Sequence, residues 1–338
     1  MKPDNHIFIP KKKIGVLMVN LGTPENTNFL SMWLYLREFL SDKRIIELTR
    51  FIWFPILFFI ILVVRPKKSG KLYEKIWDKK RNKSPLKVFS ESVAEKLQKK
   101  YDKEKVEINN AMNYGYPKIK FELKKMMERG CEKILIFPMY PQYSGTTTAS
   151  VIDRVFEYLK QTRWQPTIRV VPPYFDDPLY IDALVLNMEE KLKRKKIKEK
   201  NIVCSFHGIP KKYFLKGDPY HCHCAKTVRL LNEKMKGKRV FQISFQSRFG
   251  PQELLRPYMG EKMDELVAAK INNMIIMAPG FSVDCLETLE EIKIEGEEEF
   301  LEKGGKSFFY IDCLNDSQVA IDMYHQIINR ELMGWLKK

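Results

Sequence analysis

Short apolar, β-branched runs alternate along this chain with longer stretches of helical periodicity. The runs are Ile14–Asn20, Val106–Met112, Lys133–Phe137, Ile168–Val171, Ile202–Phe206, Arg239–Phe245, Met274–Ala278 and Phe308–Asp312. Strands separated by helix-length spacers pair in parallel and are covered on both faces. They fall into four and four, with a break near Pro172 to Pro178. The expected fold is therefore α/β, with two doubly wound Rossmann-like halves, each built on a four-stranded parallel sheet. Residues 1–175 make the first half and 176–314 the second. A long insertion, about 29–83, separates the first two strands. The tail 315–338 reads as an amphipathic helix, with Val319, Ile321, Met323, Ile327, Ile328, Leu332 and Trp335 as its apolar side, that docks back on the first half.

The insertion holds the most apolar run, Phe51–Val64, which carries Pro55. A spanning helix needs roughly 20 apolar residues, so this run is too short to cross a bilayer. Arg50, Arg65, Lys67 and Lys68 flank it, and Trp53 and several Phe lie within it. That pattern predicts a segment lying in a membrane surface. The competing reading is a buried core helix.

A second pattern sits after the apolar run Met274–Ala278, where Pro279-Gly280 turns the chain into an acidic stretch. Glu287, Glu291 and Glu295 fall at i, i+4 and i+8, one face of a helix, where like charges repel by a few tenths of a kcal/mol per pair. In a chain with 59 Lys and Arg against 42 Asp and Glu and a net charge of +17, such a stripe calls for a function. Binding or passing a divalent cation supplies one; an acidic solvated face is the plainer account. The crevice beyond a parallel strand's carboxyl end is where α/β sheets place their sites.

Composition narrows the rest. With 338 residues, 44% hydrophobic, the chain has ample material for real cores. The basic excess suits anionic partners, yet no nucleic-acid-reading motif is present, so no nucleic-acid partner is expected. Six cysteines in a chain of this size, with no signal peptide in the polar stretch Met1–Lys13, fit a reducing cytoplasm.

Five motifs in order resemble those of the ferrochelatase family: Val19-Asn20-Leu21-Gly22-Thr23-Pro24, Tyr140-Pro141-Gln142-Tyr143-Ser144, Ser205-Phe206-His207-Gly208-Ile209-Pro210, Gln246-Ser247-Arg248-Phe249-Gly250-Pro251, and the block Phe281–Glu291. The resemblance runs from about Ile14 to the final helix. It implies a bacterial-type protoporphyrin ferrochelatase, a lyase of the metal-chelatase kind. Such enzymes insert ferrous iron into protoporphyrin IX in a cleft between the halves, giving protohaem and two protons in the terminal step of haem biosynthesis. Removing two pyrrole protons and delivering a metal requires a base, a metal handoff and walls for the macrocycle. By resemblance His207 and Glu287 are the catalytic pair, each open to either role, and His207, Glu287, Glu291 and Glu295 are the metal residues. Met18, Leu21, Gly22, Tyr114, Tyr143, Ser247 and Arg248 are the porphyrin-binding candidates, with Gly250 allowing close approach.

Some positions depart from the family pattern. Asn113 stands where many bacterial relatives carry Arg, Leu254 where many carry Trp, and Cys285 where some have His. Asp218-Pro219-Tyr220-His221-Cys222-His223-Cys224 crowds borderline and soft ligands together. A [2Fe-2S] cluster needs four thiolates; the family's cluster-bearing members place one at the position of Gly145 and three near the C-terminus, so none is expected here. No cofactor is required and Fe2+ is a substrate. The expected partners are protoporphyrin IX, ferrous iron and a membrane surface met through residues 51–64, for a cytoplasmic monomer peripherally associated with the inner membrane. Two alternatives stay open: a non-enzymatic porphyrin or haem carrier, and a chelatase for another metal or coproporphyrin.

Overall fold

The structure, a computed structural model, describes residues 12–247 and 252–336. Eight strands form two sheets: β1 Lys13–Thr23, β2 Val106–Gly115, β3 Cys131–Pro138 and β4 Thr167–Val170, then β5 Asn201–His207, β6 Val240–Gln246, β7 Asn273–Met277 and β8 Ser307–Ile311. All pairs are parallel. The orders are β2-β1-β3-β4 and β6-β5-β7-β8, so one winding is used twice. In each sheet the connections leave in opposite directions from the first strand and its β3 or β7 neighbour. The two switch points therefore lie at the carboxyl ends of β1/β3 and β5/β7, where crevices open.

The strands are apolar because helices cover both faces. In β1, residues 14–20 are all buried. One apolar cluster runs from Val16 and Phe137 in the first sheet through Tyr174 and Tyr180 to Phe206 and Phe245 in the second, so the halves share a core. The exit from β3 clasps the second half directly. Ser282 Oγ donates to the Met139 carbonyl at 2.7 Å, the Gln142 amide to Thr227 Oγ1 at 3.1 Å, and the Tyr143 backbone N–H to His223 Nδ1 at 3.1 Å. Asp218 accepts from Ser144 Oγ and the Gly145 N–H, at the start of the helical segment that follows β3.

The terminal helix Gln318–Glu331, capped by Ser317, returns to the first half. Tyr324 stands edge-on to Phe137, Asp316 accepts from Ser92 and Lys96, and Tyr101 donates to Asn329.

The insertion is helical. Helix Phe29–Leu40 starts at Asn28, whose side chain accepts from the Ser31 N–H. Helix Arg50–Ile56 contains Pro55 and passes straight into a π-helical turn, Leu57–Ile61, and then into helix Leu62–Ile76. Proline removes an amide donor from the ladder, and widening to π geometry next to such a gap is a known accommodation. Trp53, Leu57 and Leu62 are buried, whereas Phe51 is 91% and Phe59 80% exposed, with Ile52, Ile60, Val63 and Val64 also exposed. Neither sequence reading alone covers this: one side of the run is core and the other faces outward. Among the described residues, no helix is long and apolar enough to cross a membrane.

Candidate functional site

The second sheet's switch point gathers the acidic and basic candidates. β5 ends at His207, which is exposed. Its Nδ1 lies 2.9 Å from the Gly208 carbonyl. A carbonyl only accepts, so Nδ1 carries the proton and Nε2 keeps its lone pair for another partner. Gly208 itself is needed for close approach: a Cβ there would stand 2.6 Å from the Gln246 carbonyl.

The acidic block is not the α-helix that the spacing suggested. Residues Glu287–Glu295 wind as a π-helix, closing i→i+5 bonds. Glu290, five positions back, acts electrostatically on Glu295, and Glu287 and His207 act on Glu291 in the same way. Burial raises the Glu291 carboxyl above its ordinary range, against the opposing pull of His207, Ser247 and Gln246. Burial likewise raises Glu295, with Glu290 adding to it. Ser247 Oγ donates to Glu291 Oε2 at 2.7 Å, from a backbone in the left-handed region at φ 64. Such a conformation costs about 1–3 kcal/mol in a non-glycine residue, and the Glu291 bond helps to hold it.

Gln246 joins these parts. Its amide donates to the Glu287 carbonyl at 2.7 Å and to Glu291 Oε2 at 3.2 Å, and its oxygen accepts from Ser205 Oγ at 2.9 Å. Asp284 fixes the segment just ahead of the π-helix. It is buried and accepts from Tyr310, Thr288 and Asn315. Neither residue is a site candidate by sequence, although Gln246 opens one motif and Asp284 lies inside another; their weight comes from neighbours brought in by other strands.

The first half and its insertion supply the facing wall. Leu21, at the end of β1, packs with Leu286 into the cluster of Tyr35 and Tyr73 from the insertion. Both hydroxyls are pushed up, by burial first, with Glu287 contributing. Burial and Glu287 also push the Cys285 thiol up, so it stays neutral.

Other candidates are placed differently. Met18 is 0% exposed and lies within the core. Tyr114 is equally buried, its hydroxyl donating to Asp42 Oδ2 at 2.8 Å. Gly22, at φ 109, sits where a Cβ would lie 1.7 Å from the Tyr114 carbonyl, so it serves the β1–β2 approach. Tyr143 is half-buried beside Arg44. Arg248 and Gly250 lie outside the described residues. Asn113 donates to Ser150 Oγ at 2.9 Å, while a nearby guanidinium comes from Arg154, 4.6 Å over the Tyr114 ring. Leu254 is buried.

The His-Cys-His-Cys segment does not converge. It opens helix Tyr220–Met235, where successive side chains diverge by about 100°. His221 stacks on Phe245 and His223 on Phe175, while Cys224 is buried and Cys222 exposed. Among the described residues no three or more of His, Cys, Asp and Glu form a ready-made metal cage.

Comparison with known proteins gives one answer. The family model described as ferrochelatase matches residues 13–332. Ferrochelatase of Agrobacterium fabrum is 48% identical over 336 residues, covering 99% of this chain and 98% of that protein. Ferrochelatase of Brucella canis is 48% identical over 333 residues, covering 98% and 95%. Among solved structures, SirB from Bacillus subtilis with Fe3+ superposes with a TM-score of 0.59 at 11% identity, covering 96% of this chain and 97% of that one, a likeness of fold. Sequence over nearly its whole length, and a twice-used parallel winding with acidic and imidazole groups at one switch point, establish that this chain belongs to the ferrochelatase family, the metal chelatases that insert ferrous iron into protoporphyrin to make haem.

Proposed function

We propose that His207 and Glu287 carry the chemistry of iron insertion, with Glu291 and Glu295 forming the route by which ferrous iron arrives or protons leave. The observation that carries this reading is the bridge through Gln246, which pairs with His207 across β5 and β6 and whose amide donates to the Glu287 carbonyl and to Glu291 Oε2, beside an exposed imidazole whose Nε2 is free to accept. Carboxylates bind hard divalent ions through oxygen, and an open row of them passes an ion on where a closed cage would keep it. Leu21 and the insertion aromatics supply an apolar wall for a flat macrocycle. Ser247, already engaged by Glu291, acts in this reading as an acid-row support. Arg248 remains the candidate for a propionate.

Anaerobic incubation with ferrous iron and protoporphyrin, followed by haem absorbance, tests the assignment. Replacing Glu291 and Glu295 together by Ala is expected to raise KM for iron by roughly ten-fold or more while KM for porphyrin moves less than about two-fold. Equal changes in both constants would remove the acid row from the iron path.

We further infer that the protein works as a monomer attached to a membrane surface through residues 51–64, which suits a lipophilic porphyrin. The support is the exposed apolar ridge of Phe51, Ile52, Phe59, Ile60, Val63 and Val64 with Lys67, Lys68 and Lys71 close behind it in sequence. A contiguous ridge of this kind marks an interaction surface, and fully burying a Phe side chain contributes about 1.5–3 kcal/mol. Phe51→Asp with Phe59→Asp is expected to lower partitioning onto phosphatidylglycerol vesicles by roughly ten-fold or more, measured by co-sedimentation. Unchanged partitioning would place the contact elsewhere.

A further inference from the structure

The π-helix carries a fourth carboxylate beside the acid row, and it is treated unlike the other three. Glu290 is buried, its side chain 3% exposed, and Lys75 Nζ lies 2.7 Å from its Oε1. Lys75 comes from helix Leu62–Ile76 of the insertion, 215 positions away. That helix is seated firmly. Gly70 meets the Thr27 carbonyl so closely that a Cβ there would stand 2.4 Å from it, and Tyr73 is buried in the insertion's own apolar cluster. Lys75 is thus delivered to Glu290 by a fixed element.

π winding stacks residues five apart, which brings Glu290 against Glu295, and Glu290 also adjoins Glu291 in sequence. A free Glu290 would set a second carboxylate beside Glu295. Affinity of oxygen sites for divalent ions rises with the number of charged ligands, so such a cluster would hold an ion that the reaction needs delivered. With Lys75 on it, Glu290 is occupied.

We propose that Lys75 is a positioning residue for metal transit: it holds the Glu290 carboxylate out of the row formed by Glu287, Glu291 and Glu295, so that the row conducts a divalent cation and does not retain it. The proposal rests on the acid row being the iron path. The two partners differ in exposure, Lys75 at 46% and Glu290 at 3%, and this makes the effects of removing them unequal. Without Lys75 the buried carboxylate keeps its place and seeks another cation; without Glu290 the ammonium stays near Glu295.

Mn2+ alone, followed by electron paramagnetic resonance on the full chain, is the binding probe, and steady-state haem formation with ferrous iron is the kinetic one. Lys75→Met is expected to bind Mn2+ about ten-fold more tightly, with KM for iron and kcat falling together and KM for porphyrin unchanged. Adding Glu290→Gln to that variant should return Mn2+ affinity to the wild-type value, and Lys75→Arg should not depart from it. Glu290→Gln alone should raise KM for iron several-fold, by leaving a cation beside the row; this variant decides the matter if Lys75→Met does not fold. Wild-type Mn2+ affinity and iron KM in Lys75→Met, no return in the double variant, or a lowered iron KM in Glu290→Gln would each overturn the proposal. Its failure is separable from failure of the iron path. If Glu291→Ala with Glu295→Ala raises KM for iron but Lys75→Met changes nothing, only the role of Lys75 falls. If Lys75→Met tightens Mn2+ while the row substitutions leave iron KM untouched, Lys75 still controls the cluster and the path reading falls.

Discussion

His207→Ala is expected to lower the rate of haem formation by about 10^2–10^4 while leaving the fold and porphyrin binding in place. General-base catalysis by a positioned side chain contributes about that factor, and His207 is arranged to provide it. Its Nδ1 is committed to the Gly208 carbonyl at 2.9 Å, so the ring is held in the tautomer whose Nε2 accepts a proton. The side chain is exposed at the carboxyl end of β5, has that one hydrogen bond and belongs to none of the core clusters among the described residues. Removing it therefore leaves no cavity and no orphaned donor, and the melting temperature should hold within about 1 °C. Protoporphyrin fluorescence titration should give a Kd within about three-fold of wild type, since the apolar wall lies on Leu21 and the insertion. Glu287→Gln should be comparably slow. The double variant should be little slower than either single one, because groups that act as a unit lose their effect together. A His207→Ala enzyme that retained a kcat within about three-fold of wild type would show that the imidazole takes no proton.

The strands were legible in the sequence for a physical reason. Parallel strands buried on both faces are written as unbroken apolar runs, and all eight runs became strands. The same burial hid which side chains face the cleft. Met18 and Leu21 look alike as apolar residues three positions apart, yet Met18 lies in the core and Leu21 at the strand end beside the insertion. β1 extends to Thr23 through a polar and glycine segment because Gly22 admits the Tyr114 carbonyl, a contact with no hydrophobic signature. Acid spacing at 287, 291 and 295 was visible, but the winding was not. Spacings of four fit one face of an α-helix, and the i→i+5 winding found instead leaves no mark in the pattern of residue types. The pairing of Glu290 with Lys75 joins positions from different halves, and no local pattern encodes it. Sequence also drew attention to the His-Cys-His-Cys segment by ligand type alone; helical geometry then turned His221 to Phe245, His223 to Phe175, Cys224 inward and Cys222 outward.

Asp284→Ala is expected to have the largest effect on stability, about 3–5 kcal/mol, with a fall in melting temperature of roughly 4–7 °C for a chain of this size. Asp284 is 3% exposed and gathers donors from three separate places. The Tyr310 hydroxyl donates at 2.7 Å and Thr288 Oγ1 at 3.0 Å to Oδ1, and the Asn315 amide donates at 2.6 Å to Oδ2. Its own N–H donates to Asn315 Oδ1 at 2.7 Å. Alanine would leave the Tyr310 hydroxyl, 6% exposed, with only the Cys313 sulfur at 3.4 Å and the half-buried Asn315 amide without its acceptor, and a buried orphan costs about 1–3 kcal/mol. Asn at this position fills the same volume but turns one acceptor into a donor. Whichever way its amide is flipped, a donor then faces either Asn315 or the Tyr310 and Thr288 hydroxyls, and hydroxyls can rotate whereas an amide cannot. Asp284→Asn should therefore cost less than Asp284→Ala and still be measurable. The consequence reaches the chemistry, because Asp284 and Thr288 tie β8 to the entry of the π-helix three residues before Glu287. At a temperature where Asp284→Ala is still folded, haem formation should fall by roughly ten-fold or more, the scale expected when a reacting group is misplaced by about an ångström. Calorimetry and steady-state rates on the same preparation check both parts. A melting temperature equal to wild type would mean that the carboxylate is not the anchor of the helix, and a full rate in a destabilised protein would mean that Glu287 keeps its place without it.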